Sequence, residues 1–267
     1  MQSTMLRLSR TIVCAAALCA SGFAAAATAP PPADYSDLWG KSDESGWGLN
    51  LSRQADAMFG TLFVYGEGER AIWYSATFTY QYTGADNVVV WSGDLYQTSG
   101  SPQGTPWNPA LLKYRQVGSM TLEFGDDAHA LMRYTVDNLV VVKQISRLTF
   151  ATISPVGKFL GGTADVTYNC KNPARNGIVT SDPGPLKITL DGTFMTIHAP
   201  TCYYEGEWRQ NGQVGSLDGR YECTNRAIGA VKFSGLRFEN GGLVGNYTGV
   251  DSSCEFRGNI GGARVIE

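Results

Sequence analysis

Histidine, the side chain that most often transfers protons near neutral pH, occurs only twice in the chain, as His129 and His198. His129 follows the acidic pair Asp126 and Asp127, whereas His198 lies at the end of a strand-like segment. A Ser-His-Asp or Cys-His arrangement needs a histidine held by an acid beside a nucleophile, and neither histidine belongs to a motif that supplies one. The sequence therefore predicts surface histidines and no nucleophilic catalytic site.

Carboxylates alone can hydrolyse glycosidic bonds when two of them lie at a suitable separation. The candidate acids are Asp43, Glu44, Asp94, Glu205 and Glu207. On a strand with period two, Glu205 and Glu207 share one face, and Tyr204 and Trp208 share the opposite one. Acids on one face and aromatic rings on the other are typical of a half-buried strand. We therefore predict no catalytic residue and a non-enzymatic protein, with a carboxylate-dependent hydrolase as the third hypothesis.

Metal-ligand patterns are also weak. Zinc sites usually contain close cysteine pairs, but the nearest two cysteines of the mature chain, Cys202 and Cys223, lie 21 residues apart with no histidine between them. Asp126, Asp127 and Asp137 carry oxygen ligands suited to calcium, yet they lack the alternating ligand run of a calcium-binding loop. The sequence predicts neither a metal site nor a cofactor.

Aromatic side chains are the strongest candidates for ligand binding. Five tryptophans fall within 70 residues, and they are Trp39, Trp47, Trp73, Trp91 and Trp107. Rings of this kind can line the mouth of a small barrel and stack on sugars or apolar ligands, or they can fill the barrel core. Trp47 and Trp107 have glycine or proline neighbours, and Trp73 and Tyr74 point to opposite faces of one strand. We take Trp47, Trp73, Tyr74 and Trp107 as candidate ligand-binding residues.

The N-terminal segment has the layout of a secretory signal. Two arginines precede an apolar run over residues 11–27, and Ala25 and Ala27 fit the small positions before a cleavage site. The run is shorter than the roughly 20 residues that cross a membrane as a helix. We predict that residues 1–27 are a signal peptide removed on export to the periplasm or the cell exterior. Residues 28–34 form a proline-rich lead.

The charge balance of the mature chain excludes several classes of partner. The 21 basic residues include two in the predicted signal peptide, so 19 remain against 24 acidic residues, a net charge of about −5. A mildly acidic chain without a basic run is a poor match for nucleic acid or for anionic lipid. The expected partner is a small molecule or a cell-surface component, with no membrane span after processing. The oligomeric state stays open.

Cysteine usage agrees with export. Four cysteines remain after processing, namely Cys170, Cys202, Cys223 and Cys254. An even number in an oxidising compartment predicts two disulfides, for which three connectivities exist. Similar spacings favour Cys170–Cys202 together with Cys223–Cys254. The alternative that stays open has Cys202 and Cys223 closing a hairpin.

Short runs of aromatic and β-branched residues, punctuated by many of the 32 glycines, predict an all-β chain. Strand-like segments recur mostly every 8–14 residues, and no window offers 12 residues of helical periodicity. We predict two consecutive antiparallel β-meander domains of barrel-like form. An aromatic-rich domain occupies residues 35–153, and a disulfide-stapled domain occupies residues 158–267. Whether the two halves are a duplication stays open.

A set of motifs runs through the first domain in a fixed order. They are Ser-Gly-Trp-Gly-Leu-Asn at 45–50, Leu-Phe-Val-Tyr at 62–65, Ile-Trp-Tyr at 72–74, Val-Gly-x-x-x-Leu-x-Phe at 117–124 and Ile-x-Arg at 145–147. Over about residues 35–151 the chain thus resembles an uncharacterised family of secreted proteobacterial β-rich proteins. Glu69 departs from the pattern, since the family usually has glycine there, and Gly68 stands one place earlier. The resemblance implies export and a β-meander, and it implies no chemistry.

Three functional hypotheses follow from these patterns. The leading one is an exported non-enzymatic protein that binds a small apolar or saccharide-like ligand through the aromatic residues of the first domain. The alternative is a structural or surface-interaction protein whose aromatic residues all lie in the core. The hydrolase ranks third.

Overall fold

A computed structural model of the protein describes residues 33–84 and 86–266, so the predicted signal peptide and most of the proline-rich lead lie outside the described residues. The described chain forms two consecutive closed antiparallel barrels of eight strands each. Its remaining regular elements are three single-turn 3₁₀ helices, Glu67–Glu69, Pro109–Leu111 and Pro173–Arg175. The prediction of an all-β chain with two barrel-like meander domains is confirmed. Within this described part, no helix is long and apolar enough to cross a membrane.

The first barrel is a simple meander in which each strand pairs with the next one along the chain. Its strands are β1 (Asp37–Gly40), β2 (Gly48–Gln54), β3 (Ala57–Tyr65), β4 (Ala71–Thr83), β5 (Val89–Ser99), β6 (Lys113–Phe124), β7 (His129–Val136) and β8 (Leu139–Arg147). The barrel closes where β1 pairs with β8, with Trp39 opposite Arg147. Because β1 has only four residues, it is too short to show the alternation that marks the other strands.

The second barrel closes in the same way, since β9 pairs with both β10 and β16. Its strands are β9 (Gly157–Tyr168), β10 (Val179–Asp191), β11 (Phe194–His198), β12 (Cys202–Asn211), β13 (Val214–Cys223), β14 (Ile228–Glu239), β15 (Gly242–Asp251) and β16 (Glu255–Arg264). Its interior is packed with apolar and aromatic side chains from all around the wall.

Alternation along each strand decides which side chains fill the first barrel. In β3, Met58 and Leu62 point inward and are buried, whereas Phe59 and Phe63 point outward and are about half exposed. The same rule fills the interior with large side chains. They include Trp39, Leu49, Phe78, Trp91, Leu122, Phe124 and Met132. The first barrel is therefore a packed core wrapped by one sheet.

The two ends of the first barrel have different neighbours. The junction end carries Ser36 and Asp127 and contacts the second barrel. The backbone N–H of Gly235 donates to the Asp127 carboxylate (2.5 Å), and Arg237 Nη2 donates to the Ser36 carbonyl (3.1 Å). Burial raises the pKa of the Asp127 carboxyl. The opposite, distal end carries the loops 41–47, 66–70, 100–112 and 137–138.

The described residues contain two disulfides, Cys170–Cys254 and Cys202–Cys223. The prediction of two disulfides is confirmed, but the connectivity favoured by spacing is wrong. Cys202 and Cys223 are directly paired residues of β12 and β13, as in the hairpin alternative. Cys170 and Cys254 flank β9 and β16, and these strands are neighbours only because the barrel closes. Barrel closure thus joins residues that lie 84 positions apart.

Candidate functional site

The four aromatic residues predicted to bind a ligand occupy different environments. Tyr74 points into the first barrel and is buried, whereas its neighbour Trp73 points outward from β4 and is half exposed. Trp47, in the loop before β2, is partly buried against the edge of the core. Trp107 is well exposed in the loop between β5 and β6. All four lie toward the distal end, because this end holds both loops and the first residues of β4.

Trp47 is held in place by charged neighbours. Its indole N–H donates to Glu44 Oε2 (3.2 Å), and the ammonium of Lys143 lies 4.9 Å from its ring centre. Lys143 and Lys41 both form ion pairs with Glu44. These two ammonium groups, Lys143 above all, lower the pKa of Glu44 to about 2. Glu44 and Lys143 therefore hold the Trp47 ring against the edge of the core.

A depression of about 470 Å³ lies on the outer wall of the first barrel, across β3, β4, β5 and β6. We call it the outer groove. It is lined by Phe59, Ser75, Ala76, Thr77, Asp94, Tyr96, Thr98 and Tyr114. Apart from Ala76, which is buried, these side chains are at least partly accessible to solvent.

Aromatic rings stand on both sides of the outer groove. Phe59 projects from β3 on one side, while Tyr96 on β5 and Tyr114 on β6 form the other. Tyr114 is 75 % exposed, so most of its ring is available for contact. Phe63 and Trp73, a directly paired and half-exposed couple on β3 and β4, continue the aromatic surface toward the distal end.

Hydroxyl groups and one carboxylate lie between these rings. Strand register places Ser75 opposite Tyr96 and Thr98 opposite Tyr114. Thr77, which pairs with Phe59 on β3, adds a third hydroxyl to the floor. The outer groove thus combines ring faces with hydrogen-bonding groups, the combination that orients a ligand carrying both apolar and polar surface.

Two backbone features shape the outer groove. A Cβ atom at Gly93 would lie 2.3 Å from the carbonyl oxygen of Thr77, so only glycine allows β5 to approach β4 this closely. Next along β5, the pairing with β6 shifts register between Leu95 and Tyr96. A β-bulge bends a strand and re-aims its side chains. Here the extra residue is Val117 of β6, and the register beyond it places Tyr114 opposite Thr98.

Asp94 is the acid of the outer groove, and its carboxylate forms no hydrogen bond or ion pair within the part of the chain that the structure describes. The arginines on β6 and β7 have partners elsewhere. Arg115 binds Asp137 at 2.6 Å, which lowers the pKa of that carboxyl, and Arg133 binds Glu123 at 3.2 Å. The groove therefore carries a negative charge that no protein ion pair offsets.

The other acids considered for hydrolysis are engaged far from Asp94. Glu205 binds Arg220 on the second barrel, where Glu207 accepts a hydrogen bond from Thr193 (3.2 Å). Asp43 binds Lys41 in the distal loop that holds Glu44. Across the described ranges 33–84 and 86–266, no three His, Cys, Asp or Glu side chains converge as metal ligands.

A second depression, of about 500 Å³, lies on the wall of the second barrel across β9, β15 and β16. Five of its ten lining residues are glycines, among them Gly161 and Gly262, and Arg237 and Glu239 are its charged residues. Arg237 is already engaged with the junction end of the first barrel. The described residues that line this depression include no aromatic ring, so it offers less to a ligand than the outer groove.

Buried tyrosines of the second barrel form a polar network of their own. The hydroxyl of Tyr247 donates to Asp165 Oδ2 (3.0 Å), and burial raises the pKa of both groups. Burial also raises the pKa of Tyr221 to about 12. Tyr204 packs edge-on against Phe233 at 5.2 Å in the same interior. This network is part of the packed core.

Comparison with known proteins does not identify a relative: no protein-family model, no curated protein and no solved structure matches the chain. The functional inference therefore rests on the groove itself. Sequence reasoning missed Phe59 and Tyr114 and weighed Asp94 only as a hydrolytic acid. The signal that could have identified them is their outward position in the alternating strands β3 to β6.

Proposed function

We propose that the protein is an exported, non-enzymatic binding module that holds a saccharide in the outer groove of its first barrel. The observation that carries this proposal is the placement of Phe59 and Tyr114 on opposite sides of a floor lined with hydroxyl groups. Ring faces on both sides and hydrogen-bonding groups between them match a ligand that is apolar on its faces and polar at its edges.

Sugar rings have this character. Their C–H faces stack on aromatic rings, and their hydroxyls exchange hydrogen bonds with Ser, Thr and Asp side chains. Each hydrogen bond contributes about 0.5–1.5 kcal/mol net. A shallow external site with a few such contacts corresponds to a Kd between roughly 1 μM and 1 mM. The site is therefore suited to a saccharide that is abundant or presented in many copies.

The closed barrel argues against recognition of a peptide by strand addition. That mode needs an exposed sheet edge with free N–H and C=O groups. Within the described residues, every strand of the first barrel pairs with both neighbours over part of its length, so no whole strand edge is free. The wall therefore offers side chains, and the contacts to a ligand come from those of β3 to β6.

The packed interior argues against a ligand inside the first barrel. Trp39, Trp91 and Phe78 are fully buried there together with many aliphatic side chains. A saccharide ring has no comparable space inside and would have to displace these rings. The outer groove needs no such rearrangement, because its side chains already face solvent.

Three observations support export. The N-terminal pattern is that of a signal peptide, the motifs of the first domain resemble a secreted family, and the disulfides of the described chain are typical of an oxidising compartment. Periplasm and cell exterior are the compartments where surface polysaccharides are available. The proposed partner is therefore a saccharide component of the cell surface or its surroundings.

The test is a titration of the mature protein with neutral oligosaccharides, followed by tryptophan fluorescence and calorimetry. Binding should perturb the emission of Trp73. Tyr114→Ala should raise the dissociation constant for the saccharide about tenfold or more. Tyr82→Ala is the matched control, because Tyr82 is 58 % exposed and lies near the other end of β4, outside the groove. Absence of binding at millimolar saccharide, or equal weakening by both variants, would contradict the proposal and favour a structural protein.

A further inference from the structure

We infer that the saccharide held in the outer groove carries a free amino group, and that Asp94 is the residue that selects it. This inference rests on the proposed function and narrows it to one chemical class, the amino sugars. It follows from the charge of the groove and from the neighbours of that charge.

Asp94 is exposed on the outward face of β5, directly opposite Ser119 on β6. The remaining lining residues of the outer groove are neutral aromatic, hydroxyl-bearing or small side chains, and none of these described residues is a cation. The carboxylate is thus the single formal charge of the groove among the described residues that line it. It makes no hydrogen bond or ion pair there.

Basic groups on the adjoining strands form no ion pair with Asp94. Lys113 at the start of β6 is opposite Ser99 and is not among the residues that line the groove. The guanidinium of Arg115 lies against Asp137 and within 3.5 Å of the Gln97 side-chain oxygen. Arg133 lies against Glu123. Both arginines are therefore held by acids outside the groove, and the charge that a ligand meets at Asp94 is negative.

Each class of sugar would meet this charge differently. An acidic sugar is repelled by Asp94, and a neutral sugar covers the carboxylate without supplying a counter-charge, which costs desolvation. A protonated amine forms a charge-assisted hydrogen bond with the carboxylate. The ring faces of Phe59, Tyr96 and Tyr114 add a further attraction, because the face of an aromatic ring carries negative potential. An amino sugar therefore matches both the Asp94 carboxylate, through its amine, and the aromatic rings, through its sugar face.

The experiment compares a β-1,4-linked glucosamine tetramer with its fully N-acetylated counterpart at pH 6, where the sugar amines are charged. The unmodified protein should bind the amine-bearing tetramer about fivefold more tightly, as expected for an accessible ion pair. Raising the salt concentration from about 0.05 M to about 0.5 M should reduce this affinity ratio, because salt screens the ion pair. Asp94→Asn should abolish the preference, so that the two tetramers bind this variant with the same dissociation constant.

Asp191→Asn is the control for net charge, because Asp191 is exposed on the second barrel and belongs to neither depression. This variant should retain the preference in full. Equal binding of both tetramers by the unmodified protein, or a preference that survives Asp94→Asn, overturns the amino-sugar inference while the proposed function stands. Failure of both tetramers and of the neutral oligosaccharides to bind overturns the proposed function and this inference with it.

Discussion

Phe63 and Trp73 lie directly opposite each other on β3 and β4, and both rings face solvent, at 46 % and 50 % exposure. The adjacent cross-strand pair, Leu62 and Tyr74, faces the interior and is buried. One strand pair therefore carries an apolar lining on both faces of the wall. The inner pair serves the core, and the outer pair extends the aromatic surface beside the outer groove.

This arrangement predicts different stability effects for two neighbouring residues. Trp73→Ala should change the free energy of unfolding by less than about 1 kcal/mol, because it removes only an exposed cross-strand contact. Tyr74→Ala should cost about 3 kcal/mol or more, because it leaves a cavity in the core. Urea denaturation of both variants measures the two values. A loss as large for Trp73→Ala as for Tyr74→Ala would show that the outer ring is structural.

Arg147 closes the junction end of the first barrel from a buried position. It is 4 % exposed, donates to Asp37 Oδ2 (2.9 Å) and to the Asp34 carbonyl (2.7 Å), and lies 4.9 Å from the centre of the Trp39 ring. Burial lowers the pKa of its guanidinium. Arg147 is the last residue of the Ile-x-Arg motif, and these contacts explain why the motif ends in arginine.

Removal of the Arg147 guanidinium should therefore destabilise the first barrel strongly. Arg147→Ala should cost about 3 kcal/mol, because it leaves a cavity beside the buried Trp39 ring and removes the donor to the Asp34 and Ser36 carbonyls. Arg147→Lys should also be costly, since an ammonium cannot reach all the acceptors that a planar guanidinium reaches. Arg133→Ala, which breaks the exposed pair with Glu123, should cost less than about 1 kcal/mol. Similar losses for Arg147→Ala and Arg133→Ala would contradict this role.

Glu44 provides a prediction of pH dependence. Its pKa of about 2 lies below the ordinary value of 4.5 because Lys143 and Lys41 bind the carboxylate. Since the folded-state pKa is depressed, its stabilising contribution is present above about pH 4.5 and is lost as the pH falls toward 2. Lys143→Met should raise the Glu44 pKa by about one unit or more. Carboxyl chemical shifts measured by NMR report this titration, and an unchanged midpoint would contradict the pairing.

The two disulfides should contribute unequally to stability. In the chain-entropy view, a cross-link stabilises more when it closes a longer loop, and the sequence separations are 84 for Cys170–Cys254 and 21 for Cys202–Cys223. Replacing both cysteines of the longer link by alanine should cost about 4.5 kcal/mol, against about 3.3 kcal/mol for the shorter one. Thermal unfolding of the two double variants compares them. The reverse order would contradict the loop argument.

Much of the fold could be predicted from the sequence because its signals are local. Alternation as in Met58 and Phe59 marks strands, and glycine-rich turns separate them. Disulfide formation followed from the even cysteine count. The pairing of Cys170 with Cys254 did not follow, because it depends on barrel closure, which brings the first and last strands together. Spacing along the chain carries no information about that contact.

The candidate site could be predicted only in part. The sequence pointed to first-domain aromatic residues as binding candidates at the barrel mouth, and one of them, Trp73, lies beside the outer groove. Tyr96 and Tyr114 meet there through the register of β4, β5 and β6 and through the bulge beside Tyr96. Register shifts of this kind depend on pairing between strands, so no local pattern reveals them. The role of Trp47, Trp73, Tyr74 and Trp107 in binding stays a prediction.

The most direct test of the saccharide-binding groove is a map of backbone amide chemical shifts recorded by NMR during titration with the glucosamine tetramer. The proposed site predicts that the largest shifts cluster at Phe59, 75–77, 94–98 and Tyr114 and saturate with one dissociation constant. Residues 157–264 of the second barrel should change little. Shifts centred on the second barrel or spread evenly over the surface, or none at millimolar tetramer, would contradict the site.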